Sequence, residues 1–368
     1  MPQATRNIFL TGASGLLGGD VLATLLARDP ALRVYVLVRD LAAWHAQAGR
    51  QSADMQRAIP VCGDLTQPGL GLAAVDRARI ARDAGAVLHL AADTRFSRTL
   101  AESRAVNVRG TQEVLALADE CRHLEQFLFV STVYAAGRLS GVVAERAING
   151  ADGWVNAYEQ SKHESEALVR AARRDALVVR TSTVVCCEFT GTVRQANAVH
   201  QTLRLYHRGL ASMVPGAADT LVDTVPYGYV REALADLTLR TDLAGRTMHL
   251  CAGRQALQLG ELLDVAYDYW SKDPAWRRRA LPRPVLTDLA TYQLFERTVL
   301  ETGDARVAMA ARALSYMVPQ LAYPKCFDTT QADAALGYPA PSPPTFWLRM
   351  VEHLLAVKWA TARLEVAA

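Results

Sequence analysis

Thr11-Gly12-Ala13-Ser14-Gly15-Leu16-Leu17-Gly18 follows the apolar run Asn7–Leu10 directly and opens a helix-forming stretch, Gly15–Ala27. Strand, glycine turn and helix in that order form the arrangement that lays a pyrophosphate against main chain. Glycines at 12, 15 and 18 allow a tight turn, close approach of phosphate to backbone, and close helix–sheet packing. The helix N-terminus then offers free N–H groups and the positive end of its dipole. We therefore read Gly12, Ser14, Gly15, Leu16 and Gly18 as a dinucleotide loop. A glycine-rich turn that holds no ligand is the alternative, and the strand before and helix after weigh against it.

Outward from that loop, short apolar runs alternate with helix-length stretches, as in stacked βαβ units. The strand candidates are Asn7–Leu10, Arg33–Val38, Ile59–Cys62, Val87–Leu90, Phe127–Ser131 and Leu177–Arg180. Several are continuous Val/Leu/Ile/Phe runs, which suits parallel strands covered on both faces. Helices are predicted near Gly15–Ala27, Leu100–Glu120 and Ala157–Arg174, the last with Asn156 as N-cap and Glu159 completing a capping box. The fold class is α/β: a Rossmann-type doubly wound parallel sheet with a smaller, mostly helical C-terminal substrate lobe. Residues 1–185 form the cofactor core, and 223–251 return to it. Residues 186–222 and 252–345, richer in Arg, Pro and aromatics, form the lobe. Residues 346–368 form a C-terminal helix, amphipathic over Thr345–Leu364.

The second strand ends in Val38-Arg39-Asp40. A carboxylate here serves the ribose 2′-hydroxyl of NAD, whereas an arginine pairs with a 2′-phosphate. Arg39 comes first and favours NADP(H), while Asp40 keeps NAD(H) open. Arg50 adds either a second phosphate contact or a solvated surface charge. After the third strand, in Gly63-Asp64-Leu65, Asp64 either accepts from the adenine amino group or caps the next turn, and Leu65 packs on the ring.

Tyr158-Glu159-Gln160-Ser161-Lys162 puts a tyrosine and a lysine four apart on one helix face. An ammonium beside a phenol favours the phenolate and lowers a pKa that is otherwise about 10. The spacing alone is common on exposed helices; the glycine loop upstream gives it meaning.

The chain of 368 residues is 51% hydrophobic and 21% charged, with a net charge of +3, too small to argue for nucleic acid or a membrane surface. Six scattered cysteines show no Cys-x-x-Cys, and Cys186-Cys187 reads as a pair of small buried hydrophobes. No apolar run reaches the roughly 18 residues of a membrane span. The eight histidines lack ligand spacing, so no metal is expected, and His89 reads as a satisfied core residue. These features suit a cytoplasmic, reduced protein. Arg277-Arg278-Arg279, with Arg283, is the densest basic cluster; it either meets a phosphate-bearing or acidic partner or is a solvated face.

The glycine loop, Gly63-Asp64-Leu65, His89-Leu90-Ala91-Ala92, Asn107-Val108-Arg109-Gly110-Thr111, Phe129-Val130-Ser131-Thr132 and Tyr158-x-x-x-Lys162 together resemble the extended short-chain dehydrogenase/reductase family. Ala91-Ala92-Asp93-Thr94-Arg95-Phe96 and Ser131-Thr132-Val133-Tyr134 resemble its thioester reductase and fatty acyl-CoA reductase branch. The resemblance implies NADPH-dependent reduction of an acyl thioester, held on coenzyme A or an acyl carrier protein, to aldehyde and possible further reduction to alcohol. It makes Tyr158 the proton donor and Thr132 its partner on the carbonyl oxygen, with Ser131 the lesser choice. Lys162 would hold the nicotinamide ribose and bias Tyr158, and Ala91, Ala92, Thr183 and Val184 would join the cofactor contacts. Relatives carry a proline soon after Arg180 and a glycine near Cys186; this chain has neither. The alternative activity is an NADP-dependent ketone or secondary-alcohol oxidoreductase. A non-catalytic NADP-binding regulator stands further off, because such proteins often lack the tyrosine or lysine. Nucleotide-sugar dehydration is disfavoured because Val133-Tyr134, not an Asp-Glu pair, follows Thr132.

Overall fold

The computed structural model describes residues 7–48, 53–302 and 304–360. Seven strands form the central sheet: β1 (Asn7–Thr11), β2 (Val34–Val38), β3 (Ala58–Cys62), β4 (Ala84–His89), β5 (Gln126–Thr132), β6 (Leu177–Thr181) and β7 (Thr247–Leu250). Their order is β7-β6-β5-β4-β1-β2-β3, and every pairing is parallel. Every residue of β1, β2 and β5 is buried, as their unbroken apolar character requires.

Five helices belong to the first half: α1 (Leu16–Arg28), α2 (Leu41–Ala48), α3 (Ala74–Asp83), α4 (Leu100–Glu120) and α5 (Ala157–Ala172). The sequence reading found α1, α4 and α5 but not α2 or α3. Later come α6 (Ala198–His207), α7 (Tyr227–Leu237), α8 (Leu259–Trp270), α9 (Leu289–Thr302), α10 (Ala305–Leu314), α11 (Thr330–Leu336) and α12 (Pro344–Ala356). Alternate residues of β1 serve opposite faces of the sheet. Ile8 and Leu10 join a core with Val21 and Leu22 of α1 and Val230 and Leu234 of α7. Phe9 joins Phe127, Phe129, Ile80 of α3, Val114 of α4 and Val169 of α5.

A separate core, around Trp270, Trp276, Phe346 and Trp347, gathers buried residues from the second half of the chain, the stretch expected to hold the lobe. Helix α12 stops at Ala356 and residues 357–360 form a turn; the rest of the expected helix, 361–368, lies outside the described residues. Lys358 and Trp359 take positive φ of 50° and 59°, and the chain turns to bury Trp359 beside His207 and Trp270. The basic cluster is partly internal. Arg279 donates to the carbonyls of His207 and Arg208 at the end of α6, and Arg283 pairs with Asp264 and Asp268 of α8. Cys186 is buried and Cys187 half-buried, both as free thiols. Among the described residues no helix is long and apolar enough to cross a membrane.

Candidate active site

The strand order reverses between β1 and β4, and in an open α/β sheet a ligand crevice lies outside the carboxyl ends at that point. Here it is a cleft of about 1830 Å³ bounded by the sheet on one side and lobe residues on the other. Gly12 has φ +85°, and a Cβ there would lie 2.8 Å from the Ala91 nitrogen. A Cβ at Gly18 would lie 2.2 Å from the Gly12 carbonyl oxygen, so this glycine is needed for packing against the loop itself rather than against the sheet. Gly15 caps α1 without a side-chain bond, and the first turn carries no acidic residue. The helix therefore presents open N–H groups to an anion. Gly12, Ser14, Gly15, Leu16 and Gly18 all line the cleft, and the set fits a dinucleotide pyrophosphate.

At the far end of this loop, Arg39, Asp40, Asp64 and Leu65 line the same cleft. Asp40 Oδ1 accepts the Ala43 N–H at 2.9 Å, so its carboxylate caps α2. Arg39 is exposed, and its guanidinium has no hydrogen bond or ion pair among the described residues. Asp64 Oδ1 accepts both the N–H and the hydroxyl of Thr66 at 2.8 Å, the turn-capping alternative. Those bonds, with Arg39 nearby, hold Asp64 below its ordinary range. Ala91, Ala92, Thr183 and Val184 also line the cleft. Arg50 lies outside the described residues.

His89, at the end of β4, is buried between two threonines. The Thr111 hydroxyl donates to the Asn107 carbonyl at 2.6 Å, so it accepts from His89 Nε2 at 3.0 Å. His89 Nδ1 then accepts from Thr11 at 2.7 Å, and Thr11 accepts the Leu90 and Ala91 N–H groups. Burial, with Lys162 close by, lowers the imidazole to about 3. This neutral ring ties the glycine loop to the loop after β4.

Thr132 ends β5 with its hydroxyl accepting the Tyr134 N–H at 3.3 Å. Tyr158, on the first turn of α5, is buried, which raises its phenol well above the ordinary value; hydrogen bonding by Thr132 offsets part of the rise. Phe96 lies against both Tyr158 and Tyr134, with centroids 5.4 Å and 5.9 Å away, and Tyr134 bonds Thr183 at 2.8 Å.

Two of the expected site residues have partners of their own within the protein. Ser131 and Thr132 are neighbours on a strand and point to opposite faces. The Ser131 hydroxyl donates to Glu166 Oε1 at 2.6 Å, inside a buried ion-pair network, although Ser131 also lines the cleft. Lys162 is also differently engaged: its ammonium donates to the Val130 carbonyl at 2.9 Å and lies 4.2 Å from the Phe129 ring centroid. Burial lowers it to about 8, against the pull of Glu166. The Tyr158 phenol is raised chiefly by its own burial.

The lobe contributes a wall that the sequence reading missed. Ala305, Ala308, Met309, Arg312 and Ala313 of α10, then Tyr316 and Met317, face the cleft. Met309 and Tyr316 are 40% and 42% exposed there. The available signal was the recurrence of these residues at helical spacing, which by itself reads equally well as core.

The family model described as Male sterility protein, an NAD-binding family, matches residues 10–234. Fatty acyl-CoA reductase 1 of Rattus norvegicus is 36% identical over 146 residues, 35% of this chain and 28% of that protein. Fatty acyl-CoA reductase wat of Drosophila melanogaster is 31% identical over 172 residues, 43% of this chain and 33% of that protein. The matched stretch thus spans about a third of these relatives. Among solved structures, the terminal R domain of the myxalamid PKS-NRPS pathway superposes with a TM-score of 0.76 at 27% identity, covering 98% of this chain and 93% of that one. The reductase domain of a nonribosomal peptide synthetase from Mycobacterium tuberculosis shares the fold at a TM-score of 0.68 and 22% identity, covering 96% and 92%. With the sheet order, the glycine loop and the Tyr158–Lys162 helix already in place, the match over 10–234 assigns the chain: it belongs to the male sterility family of NAD-binding proteins, within the extended short-chain dehydrogenase/reductases.

Proposed function

We propose that this protein reduces an acyl thioester, carried on coenzyme A or an acyl carrier protein, to an aldehyde with NADPH. The observation that carries the reading is the meeting, in one cleft, of an anion-ready α1 N-terminus, the Thr132–Tyr158 pair and a wall made by Ala305, Ala308, Met309 and Ala313 of α10 with Tyr316 and Met317. The likeness to fatty acyl-CoA reductases and to a PKS-NRPS terminal R domain supports the substrate class. NADPH, when bound, supplies hydride to the thioester carbonyl carbon. Tyr158, kept protonated by burial, gives its proton to the carbonyl oxygen, and Thr132 orients that oxygen. The resulting hemithioacetal loses thiol to leave the aldehyde, and a second reduction would give the alcohol. Lys162, which lines the same cleft, would hold a nicotinamide ribose hydroxyl.

The test is NADPH consumption with parallel thiol release over a panel of acyl-CoAs and acyl carrier proteins. Turnover with thiol release is expected. No turnover on any thioester would sink the reading, and NADPH consumption on ketones without thiol release would favour the secondary-alcohol alternative.

Cofactor choice rests on Arg39. Asp40 is committed to capping α2, while Arg39 faces the cleft with its guanidinium available. Arg39→Ala is expected to raise the Kd for NADPH by about tenfold or more, the worth of a charge-assisted hydrogen bond, and to leave NADH nearly unaffected. Fluorescence titration of the two nucleotides measures this directly, and equal loss for both would remove Arg39 from the 2′-phosphate site.

A further inference from the structure

One residue beyond Tyr158 lies a carboxylate with no exposure at all: Glu159, at 0%. It occupies the third position of α5, where a capping-box residue returns to the N-cap N–H. Asn156 does cap the helix, its Oδ1 accepting the Glu159 N–H at 3.0 Å. Glu159, however, reaches one residue further back, and its Oε2 accepts the Val155 N–H at 2.9 Å. Its Oε1 accepts from Asn156 Nδ2 at 3.0 Å and from Gln320 Nε2 at 2.5 Å. Gln320 Oε1 in turn accepts from Lys325 Nζ at 3.0 Å, and that ammonium also donates to the Tyr323 carbonyl.

Two more bonds complete the node. Asn156 Nδ2 donates to the Tyr316 carbonyl at 3.0 Å, and Gln320 Nε2 donates to the Gly137 carbonyl at 3.4 Å. Three segments therefore meet at one carboxylate: the start of α5, the turn that follows Thr132, and the lobe stretch 316–325. That stretch begins with Tyr316 and Met317, which line the cleft.

A buried carboxylate costs several kcal/mol in desolvation. Asn156 already caps α5, so the helix does not require an acid at 159. What the charge adds is the tie to the lobe. Lys325, from the strand Lys325–Phe327, and Arg138, from the turn after β5, are the cations that face it. Burial nonetheless pushes Glu159 up to about 7.

We infer that Glu159, acting through Gln320 and Asn156, is a positioning residue that holds the Tyr316–Met317 wall in register with Tyr158. The substrate part of this inference rests on the thioester reading above; the tie itself does not. Gln320→Leu keeps the volume and removes both polar ends. The expected result is a KM for the thioester raised about tenfold or more, as for one lost hydrogen bond to a charge. The fall in kcat should be smaller, with the Kd for NADPH unchanged. Asn156→Ser keeps the cap but cannot reach Tyr316, and should shift KM in the same direction by less. Backbone amide hydrogen exchange over residues 316–325 should quicken in both variants, with or without substrate. Unchanged exchange there, or lower kcat at unaltered KM, overturns the inference. A wild-type protein that turns over no thioester, with exchange still quickened in the variants, counts against the thioester reading alone.

Discussion

Tyr158→Phe is expected to lower kcat by about two to four orders of magnitude, the usual contribution of a positioned general acid. The variant loses one oxygen and little else. The ring keeps its place against Phe96, and Lys162 is bonded to Val130 rather than to the phenol. NADPH affinity and the KM for the thioester should therefore stay near wild type, which separates lost chemistry from lost binding. Retention of wild-type turnover would remove Tyr158 from the proposed mechanism. The pH profile gives an independent reading. The phenol is raised by burial, so it stays protonated and able to donate across the working range. Lys162, lowered to about 8, is charged below that pH and loses its charge as pH rises through it. The kcat/KM for reduction should accordingly fall above about pH 8, and a profile flat to well beyond that value would exclude Lys162 as the titrating group.

Arg180→Met is expected to cost about 3–5 kcal/mol of unfolding free energy, read as a lower urea midpoint at unchanged slope. Arg180 is 0% exposed in its side chain and Glu166 4%. The guanidinium donates to both carboxylate oxygens, at 2.9 Å and 2.7 Å, and lies 3.2 Å from His249 Nε2. Ser131 supplies a further donor to the same carboxylate. Removing the cation leaves the buried anion with Ser131 and only the more distant Arg170, 3.8 Å away, which is far costlier than losing an exposed pair. The sign with pH agrees. Arg180 and the hydrogen bonds hold Glu166 below its ordinary value despite burial, so its stabilisation is present at neutral pH and is lost as pH falls through the folded-state value. Arg180→Met combined with Glu166→Leu should recover most of the loss. A single variant that costs under about 1 kcal/mol would mean the pair behaves like a surface bridge.

The sheet was legible because its strands are continuous apolar runs. Leu177–Arg180 was read within a residue, and the last strand, Thr247–Leu250, falls inside the 223–251 stretch expected to return to the core. Helix α3 escaped because it has no side-chain cap and buries only Ile80, and α2 because its cap, Asp40, was weighed as a cofactor carboxylate. Within the site, residue type was readable but direction was not. Ser131 was the lesser choice beside Thr132, and its hydroxyl donates to Glu166, although both residues line the cleft. Asp40 and Asp64 looked like ligand carboxylates, and both accept backbone N–H groups nearby in sequence, a use that Asp makes of any turn. The α10 wall and the Glu159–Gln320 tie depend on segments far apart in the chain, and no local pattern announces such a meeting.

Strand β7 pairs with β6 only after the chain has passed through residues 182–246. During synthesis, β6 must therefore wait with one row of backbone donors and acceptors unpaired, the kind of edge that recruits other chains. A fragment ending near residue 185 would freeze that stage, with Arg180 also deprived of His249. Cutting the chain after β6 therefore bares a strand edge that the intact sheet covers with β7.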